Sequence, residues 1–408
     1  MAGITHTHTH PHPLSPTHTH THPHPLSPTH THTHPHPQDA NSDSGDVSVL
    51  RGYGDASFAS KIWFPVGRDP RSITTGDFNG DDILDMIVSN NGDSTVSILL
   101  GYGNCSFSTQ RTYSTGSPTS NVNVGDFNKD NQLDVVVVIN YSNSIMSVFL
   151  GNGDGTIANR IIYPTGPNPS STVIVDINND DRLDILLVVL GATQFSVCLG
   201  FINEAFVKKT TLITGSGSQP KSLVISDFNN DNHLDLAVAN SGINQIGIFL
   251  GYGNNSFTEQ IPCLSDYSPR SIAIGDFNKD GYIDIVAANS DNDTVVIYFG
   301  FGNGTCIASE KVLQTGSKTK PSSIAVAMFN NDTFLDLIVD NYGSNTVDVF
   351  LGYNDGQFED MMSFAIGYGT LPFSILPGDF DNDQRVDFAV ANEGTDNLKI
   401  FLQTCTYS

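Results

Sequence analysis

The chain has 408 residues, 38% hydrophobic and 9% aromatic, enough apolar material to bury a large core. Its formal net charge is -25 at pH 7, with 43 Asp and Glu against 18 Lys and Arg, which argues against a nucleic-acid surface and for divalent cations. No apolar run of about 18 residues suggests a membrane span.

Residues 1–38 are a low-complexity segment. THTHTHPHPLSP fills Thr5–Pro16, repeats at Thr17–Pro28 and begins again at Thr29, and the segment holds 12 of the 13 histidines. Without apolar periodicity it is expected to be disordered. Dense imidazoles would bind zinc, nickel or copper. Alternating Thr and His is also what an ACACAC nucleotide run encodes, and a translated minisatellite or a wrong gene start is the stronger reading of the segment. No apolar stretch of about 7 to 15 residues follows Met1, so no secretory leader is visible there.

Residues 39–408 repeat one design. A nonamer is written seven times: DFNGDDILD from Asp77, DFNKDNQLD from Asp126, DINNDDRLD from Asp176, DFNNDNHLD from Asp227, DFNKDGYID from Asp276, MFNNDTFLD from Met328 and DFDNDQRVD from Asp379. The steps run from 49 to 52 residues, and a period near fifty signals a repeat architecture.

Positions 1, 3, 5 and 9 of the nonamer carry side-chain oxygen. They are Asp77, Asn79, Asp81 and Asp85 in the first copy, and Asp126, Asn128, Asp130 and Asp134 in the second. The third and fourth have Asp176, Asn178, Asp180 and Asp184, then Asp227, Asn229, Asp231 and Asp235. The fifth has Asp276, Asn278, Asp280 and Asp284, and the seventh Asp379, Asp381, Asp383 and Asp387. In the sixth, Met328 stands at position 1 and leaves Asn330, Asp332 and Asp336, so that turn is expected to be a weak or empty site. These positions hold 21 of the 43 acids. A set of hard oxygens, with a backbone carbonyl at position 7 and no thiolate or imidazole donor, fits calcium and not zinc or copper. About six calcium sites are expected. The twelfth residue is Val88, not the glutamate of an EF-hand, so the ion is placed in a turn between strands. Acid-rich turns also arise as plain solvated connections. Retention of all four positions in six copies favours the metal.

Four short strands, A to D, are predicted per repeat. A precedes the nonamer (Ser72–Thr75, Ser271–Ile274), B follows it (Leu84–Ser89, Leu234–Ala239), C begins at Thr95, Ser147, Gln245 or Thr346, and D follows a glycine turn and Phe107, Phe206, Phe257 or Phe358. This pattern predicts an all-β, seven-bladed propeller of four-stranded antiparallel blades. The last copy has B at Val386–Ala391 and C at Leu398–Leu402 but no D, and Phe58–Val66 at the front is expected to supply it, removing two open edges. Val47–Gly54 then reads as a surplus strand with no vacancy in the ring, a frayed flank or the trace of a longer array.

The order TG, Pro, SI, GDFN, LD, VAN, VSIFLGYGNGSF resembles the FG-GAP and VCBS repeats of integrin α-subunit heads, over about residues 45–405. The resemblance implies a propeller with calcium in the A to B turns. It leaves activity open, because similar repeats occur in adhesion receptors, lectins, polysaccharide lyases and a phospholipase.

Strand alternation puts the A to B and C to D connections on one face and the B to C and D to A connections on the other. Arg68, Arg71, Lys221, Arg270, Lys318 and Lys320 fall in D to A connections, as a docking face for an anionic glycan or carboxylate, or as ordinary solvated cations. His233, outside the tail, is expected with its ring in solvent, a poor general base. Acids outside the nonamers, such as Asp266, Asp291, Asp293 and Asp348, could form a catalytic pair, and no P-loop or GxSxG elbow accompanies them. The five cysteines fall at different points of their repeats, and the odd count leaves one unpaired. Sequons begin at Asn104, Asn140, Asn254, Asn292, Asn303 and Asn331. The reading is a secreted, monomeric, calcium-binding adhesion or ligand-binding module for an extracellular glycan or protein. The alternatives are a carbohydrate-active lyase or hydrolase on the same propeller, and a non-catalytic scaffold.

Overall fold

A computed structural model describes residues 46–50, 62–104, 106–139, 145–165, 169–189, 194–202, 205–264, 267–309, 311–330, 332–380, 385–394 and 397–401. The histidine-rich segment lies outside them.

Five sheets have the expected four-stranded antiparallel form. In the first, A is Pro70–Gly76, B is Asp85–Asn90, C is Thr95–Leu99 and D is Arg111–Ser114. The others begin at Asn121–Gly125, Pro169–Val175, Pro220–Ser226 and Pro321–Ala327. Each B strand starts at the ninth nonamer residue, one position later than the sequence suggested, because that Asp is the first residue in register with strand A (Gly76 opposite Asp85). A bulge after the first residue of A, between Pro70 and Ser72, absorbs a residue whose proline has no amide to give to the ladder.

Two sheets depart from the expected uniform blade. In the sheet begun by Pro269–Gly275, the outer strand is split into Cys306–Ala308 and Leu313–Gln314, both paired with Thr294–Gly300. The sheet begun by Pro372–Gly378 corrects the expected closure. After Asn397–Phe401 comes Asp46–Leu50, paired in parallel, and only then Ile62–Phe64, antiparallel. The segment taken for surplus is therefore the joint between the two chain ends. It fits because Asn397–Phe401 has a free side, and a parallel neighbour fills it as well as the antiparallel strand expected from Phe58–Val66.

The first strands of successive sheets neighbour one another, and Pro372–Gly378 returns to Pro70–Gly76, closing a ring. Strand B, the second layer out, is buried along its whole length in the sheets whose burial is described, for example Asp85–Asn90 and Asp235–Asn240. Apolar residues on both faces of B explain its continuous hydrophobic spelling.

The core lies between sheets. Nonamer position 2 supplies the wedge: Phe78 packs with Val122 and Val135 of the following sheet, Phe277 with Ile324, and Phe380 with Ile73 across the ring closure. The glycine that precedes four of the nonamers, Gly76, Gly125, Gly275 and Gly378, is set by the same packing. A Cβ on Gly76 would stand 2.3 Å from the Leu133 side chain of the next sheet.

Cys263, in Ile261–Leu264, and Cys306 are joined by a disulfide with Cα atoms 5.7 Å apart, tying neighbouring sheets at their outer strands. The loop it closes spans 43 residues. Replacing both cysteines by serine is expected to lower unfolding free energy by about 2–4 kcal/mol in denaturant titrations, with no change in circular dichroism.

Candidate metal centre in the acidic turns

Each A to B turn is shaped by its own side chains. In the first, Asp77 Oδ1 accepts the amides of Asn79 (3.2 Å), Gly80 (2.7 Å) and Asp81 (3.2 Å), and Oδ2 accepts that of Asp82 (2.8 Å). Asn79 Oδ1 accepts the Asp81 amide and Asp81 Oδ1 the Ile83 amide, both at 3.0 Å. The chain coils so that positions 1, 3 and 5 turn inward. Positions 4 and 6 turn the backbone left-handed, at Gly80 (φ 75°) and Asp82 (φ 61°), and again at Lys129 and Asn131, Asn179 and Asp181, Asn230 and Asn232, and Lys279 and Gly281. Asn, Asp and Gly enter that region at low cost, which accounts for most of the residues chosen there.

Position 9 does something else. Asp85 is fully buried, its Oδ2 accepting the Phe78 amide at 2.8 Å and its Oδ1 the Gly101 amide at 2.7 Å. Asp134 bridges Phe127 and Gly151, Asp235 bridges Phe228 and Gly251, Asp284 bridges Phe277 and Gly300, and Asp336 bridges Phe329 and Gly352. Asp184 and Asp387 accept the amides of Ile177 and Phe380. Asp85, Asp134, Asp235, Asp284 and Asp336 thus tie the A to B turn to the start of the C to D turn. The glycine after strand C permits it: a Cβ on Gly251 would stand 2.2 Å from the Leu234 carbonyl oxygen. The repeated Leu-Gly at the end of C carries this signal in the sequence.

Burial pushes the carboxyls of Asp85, Asp134, Asp235 and Asp284 up to about 6, against the pull of the two amides, and the acids at positions 5 and 1 add repulsion. Asp336 is also raised to about 6, with Asp332 the acid neighbour that contributes. Met328, at position 1 of that turn, is 50% exposed, yet Asn330 still accepts the Asp332 amide (3.1 Å) and Asp332 the Phe334 amide (2.7 Å). Two of the turn's side-chain bonds therefore persist without the first acid, while Thr333 at position 6 lacks the left-handed backbone of the first five turns. In the seventh turn Asp379 and Asp387 are described, while Asp381 and Asp383 lie outside the described residues.

The nonamer acids Asp77, Asp81, Asp126, Asp130, Asp227, Asp231, Asp276 and Asp280 take part in none of the three ion pairs found among the described residues, Arg68 with Asp93 and Arg71 with Asp69 and Glu393. No group of three or more His, Cys, Asp or Glu side chains is arranged to hold a metal among the described residues. The oxygens of positions 1, 3 and 5 are turned onto amides, and any ion has to draw on their remaining lone pairs, together with Asn and carbonyl oxygen.

His233 departs from expectation. Its ring lies against the C to D turn, where a Cβ on Gly253 would stand 2.4 Å from Nδ1, and Nδ1 is enclosed without a hydrogen-bond partner. Position 7 is a packing position, filled by Gln132 over Gly153 and Tyr282 over Gly302.

On the opposite face the cations divide. Arg71 is held by Asp69 (3.2 Å) and Glu393 (2.9 Å), and Arg68 by Asp93 (2.7 Å). Arg270 is half-buried with its guanidinium carbon 5.8 Å from the centre of the Phe373 ring, and its Nε is enclosed without a partner. Desolvation lowers its pKa, offset by the charge of buried Asp340, whose own carboxyl burial raises to about 7. The acids considered for a catalytic pair have separate duties. Asp291 is exposed, Asp293 accepts the amides of Lys318 (2.6 Å) and Lys320 (2.9 Å), and Asp348 is buried beside Asn341; Asp266 lies outside the described residues.

Sheets set around one ring, each entered by an acidic turn, define an all-β propeller with four-stranded antiparallel blades. The FG-GAP-like repeat matches residues 40–88, 77–137, 133–187, 227–287, 276–339 and 329–390, and the chain belongs to that family. No curated protein matches the chain. Similar solved structures include BBS1N in complex with ARL6DN (TM-score 0.58, 13% identity, 84% of this chain and 95% of that one). Virginiamycin B lyase from Staphylococcus aureus is similar with a TM-score of 0.55 and 13% identity, over 80% of this chain and 92% of that one. A protein of unknown function from Desulfotomaculum acetoxidans has a TM-score of 0.56 and 15% identity, over 78% and 91%. At these identities the likeness shows the fold alone. Among the described residues no helix is long and apolar enough to cross a membrane.

The raised carboxyls fix a pH dependence. A carboxyl whose folded pKa exceeds its unfolded value near 4 binds more protons in the fold, so stability falls as pH rises through the window between the two. With divalent ions chelated, the melting temperature is expected to rise as pH is lowered from 7 to 5; a fall over that range would contradict the assignment.

Proposed function

We propose that the chain is a calcium-holding, seven-bladed propeller that works outside the cell as a ligand-binding or adhesion module for a glycan or a protein. The observation that carries this reading is the same set of hard oxygens coiled inward in turn after turn, with no Lys or Arg ion-paired to the position 1 and 5 acids in the first, second, fourth and fifth turns. Asp77, Asn79 and Asp81, with the carbonyl at position 7, would hold the ion in the first turn. Asp85 would add a carboxylate through lone pairs its two amides leave. A bound calcium neutralises the clustered acids and stabilises the folded state by mass action. The disulfide between Cys263 and Cys306 supports an oxidising compartment.

Calcium is expected to raise the melting temperature of the chelated protein by several degrees, more at pH 7 than at pH 5 because the ion needs deprotonated ligands. The paired change Asp227→Asn and Asp231→Asn should remove one site from the stoichiometry read by titration calorimetry. A melting temperature indifferent to calcium would sink the metal assignment.

The face opposite the acidic turns is the proposed docking face, with Arg270 and the wall of Phe373 at the inner ends of their strands. Arg270→Ala is expected to weaken binding of anionic ligands on a mixed glycan and matrix-protein array. Undiminished binding would move the docking site elsewhere.

A further inference from the structure

Three C to D turns carry the same juxtaposition. Tyr102 (59% exposed), Tyr252 (57%) and Phe301 (53%) each stand two residues before an exposed asparagine, Asn104, Asn254 and Asn303. Each turn is closed by the aromatic residue's amide donating to the carbonyl four residues on, at 3.0 to 3.1 Å. The asparagine Oδ1 accepts both the amide and the hydroxyl of Ser106, Ser256 or Thr305, the hydroxyl at 2.5 Å in every case. All of its bonding is through Oδ1, and Nδ2 takes part in none of the hydrogen bonds found in these turns.

One other turn of the same shape shows that neither feature is needed for the fold. Asp154 makes the same bonds to Thr156, with Asn152 in place of the aromatic. In the turn with Asp355, Tyr353 is only 38% exposed, and its hydroxyl donates to Gln357 at 3.2 Å. Among the C to D turns whose side chains are described, an aromatic ring more than half exposed occurs where an asparagine with a hydroxyl two residues on accompanies it. Asn292 also begins a sequon, but its third residue, Thr294, is buried in a strand.

We infer that Asn104, Asn254 and Asn303 are N-glycosylated and that Tyr102, Tyr252 and Phe301 are the platforms on which the first sugar of each glycan lies. This rests on the extracellular reading above. The amide Nδ2 attacks the anomeric carbon of a polyprenyl-diphosphate-linked oligosaccharide. The new C–N bond replaces the C–O bond to the diphosphate, which leaves with the electron pair, and the amide loses one proton. The apolar face of a pyranose laid on the ring removes exposed aromatic surface from water, so the ring and the glycan stabilise each other.

The test is the full chain carried into the secretory pathway of a eukaryotic cell by an added leader, with site occupancy read by glycopeptide mass spectrometry. Occupancy is expected at all three asparagines. Tyr102→Ala, Tyr252→Ala and Phe301→Ala should each cut occupancy at their own turn to roughly half or less, whereas Tyr252→Phe should keep it. Enzymatic removal of the glycans from the folded protein should raise the reactivity of Tyr102 and Tyr252 towards a tyrosine-directed label. A secreted chain bare at these asparagines, or occupancy and labelling indifferent to the rings, would overturn the inference. Because the leader is supplied, those results count against the turns and not against the extracellular reading, which depends on where the chain resides in its own cell.

Discussion

A buried carboxylate at the foot of each second strand is the constraint on which the blades depend. An aspartate removed from water has to satisfy its oxygens, and here two backbone amides from different turns converge on it. That convergence sets the separation of the A to B and C to D turns. It calls for glycine at the end of the third strand and holds position 2 where its side chain can wedge into the next sheet. Removing the charge would weaken both amide bonds at once, so the penalty would fall on both turns together.

The same carboxylate connects stability with charge. Its neighbours at positions 1 and 5 crowd negative charge onto a turn whose hydrogen bonds are already made by amides. In the sixth turn, which lacks the first acid, the bonds from Asn330 and Asp332 remain.

Much of this was legible from residue types. The fifty-residue period, the strands and the acidic turns follow from spacing and alternation, and Leu-Gly and GDFN mark where backbones approach closely. The duty of position 9 was hidden because an aspartate in a loop looks alike whether it faces an ion or two amides; only the path of the third strand separates them. His233 misled for a similar reason, since burial at position 7 comes from a turn some twenty residues away in sequence. The parallel joint was also illegible: alternation identifies a strand but says nothing of its direction beside its neighbour.

That joint has a consequence for how the molecule is made. Asp46–Leu50 is synthesised at the start, yet its partner Asn397–Phe401 emerges only near the end. Until then Asp46–Leu50 lacks its parallel neighbour. Intermediate blades can form on the ribosome from local contacts, whereas closure joins the most distant segments of the chain and carries the largest loop-closure entropy. The parallel joint therefore cannot form before Asn397–Phe401 has been made, and the interval before that is when the free edge of Asp46–Leu50 is open to chaperones or to another copy.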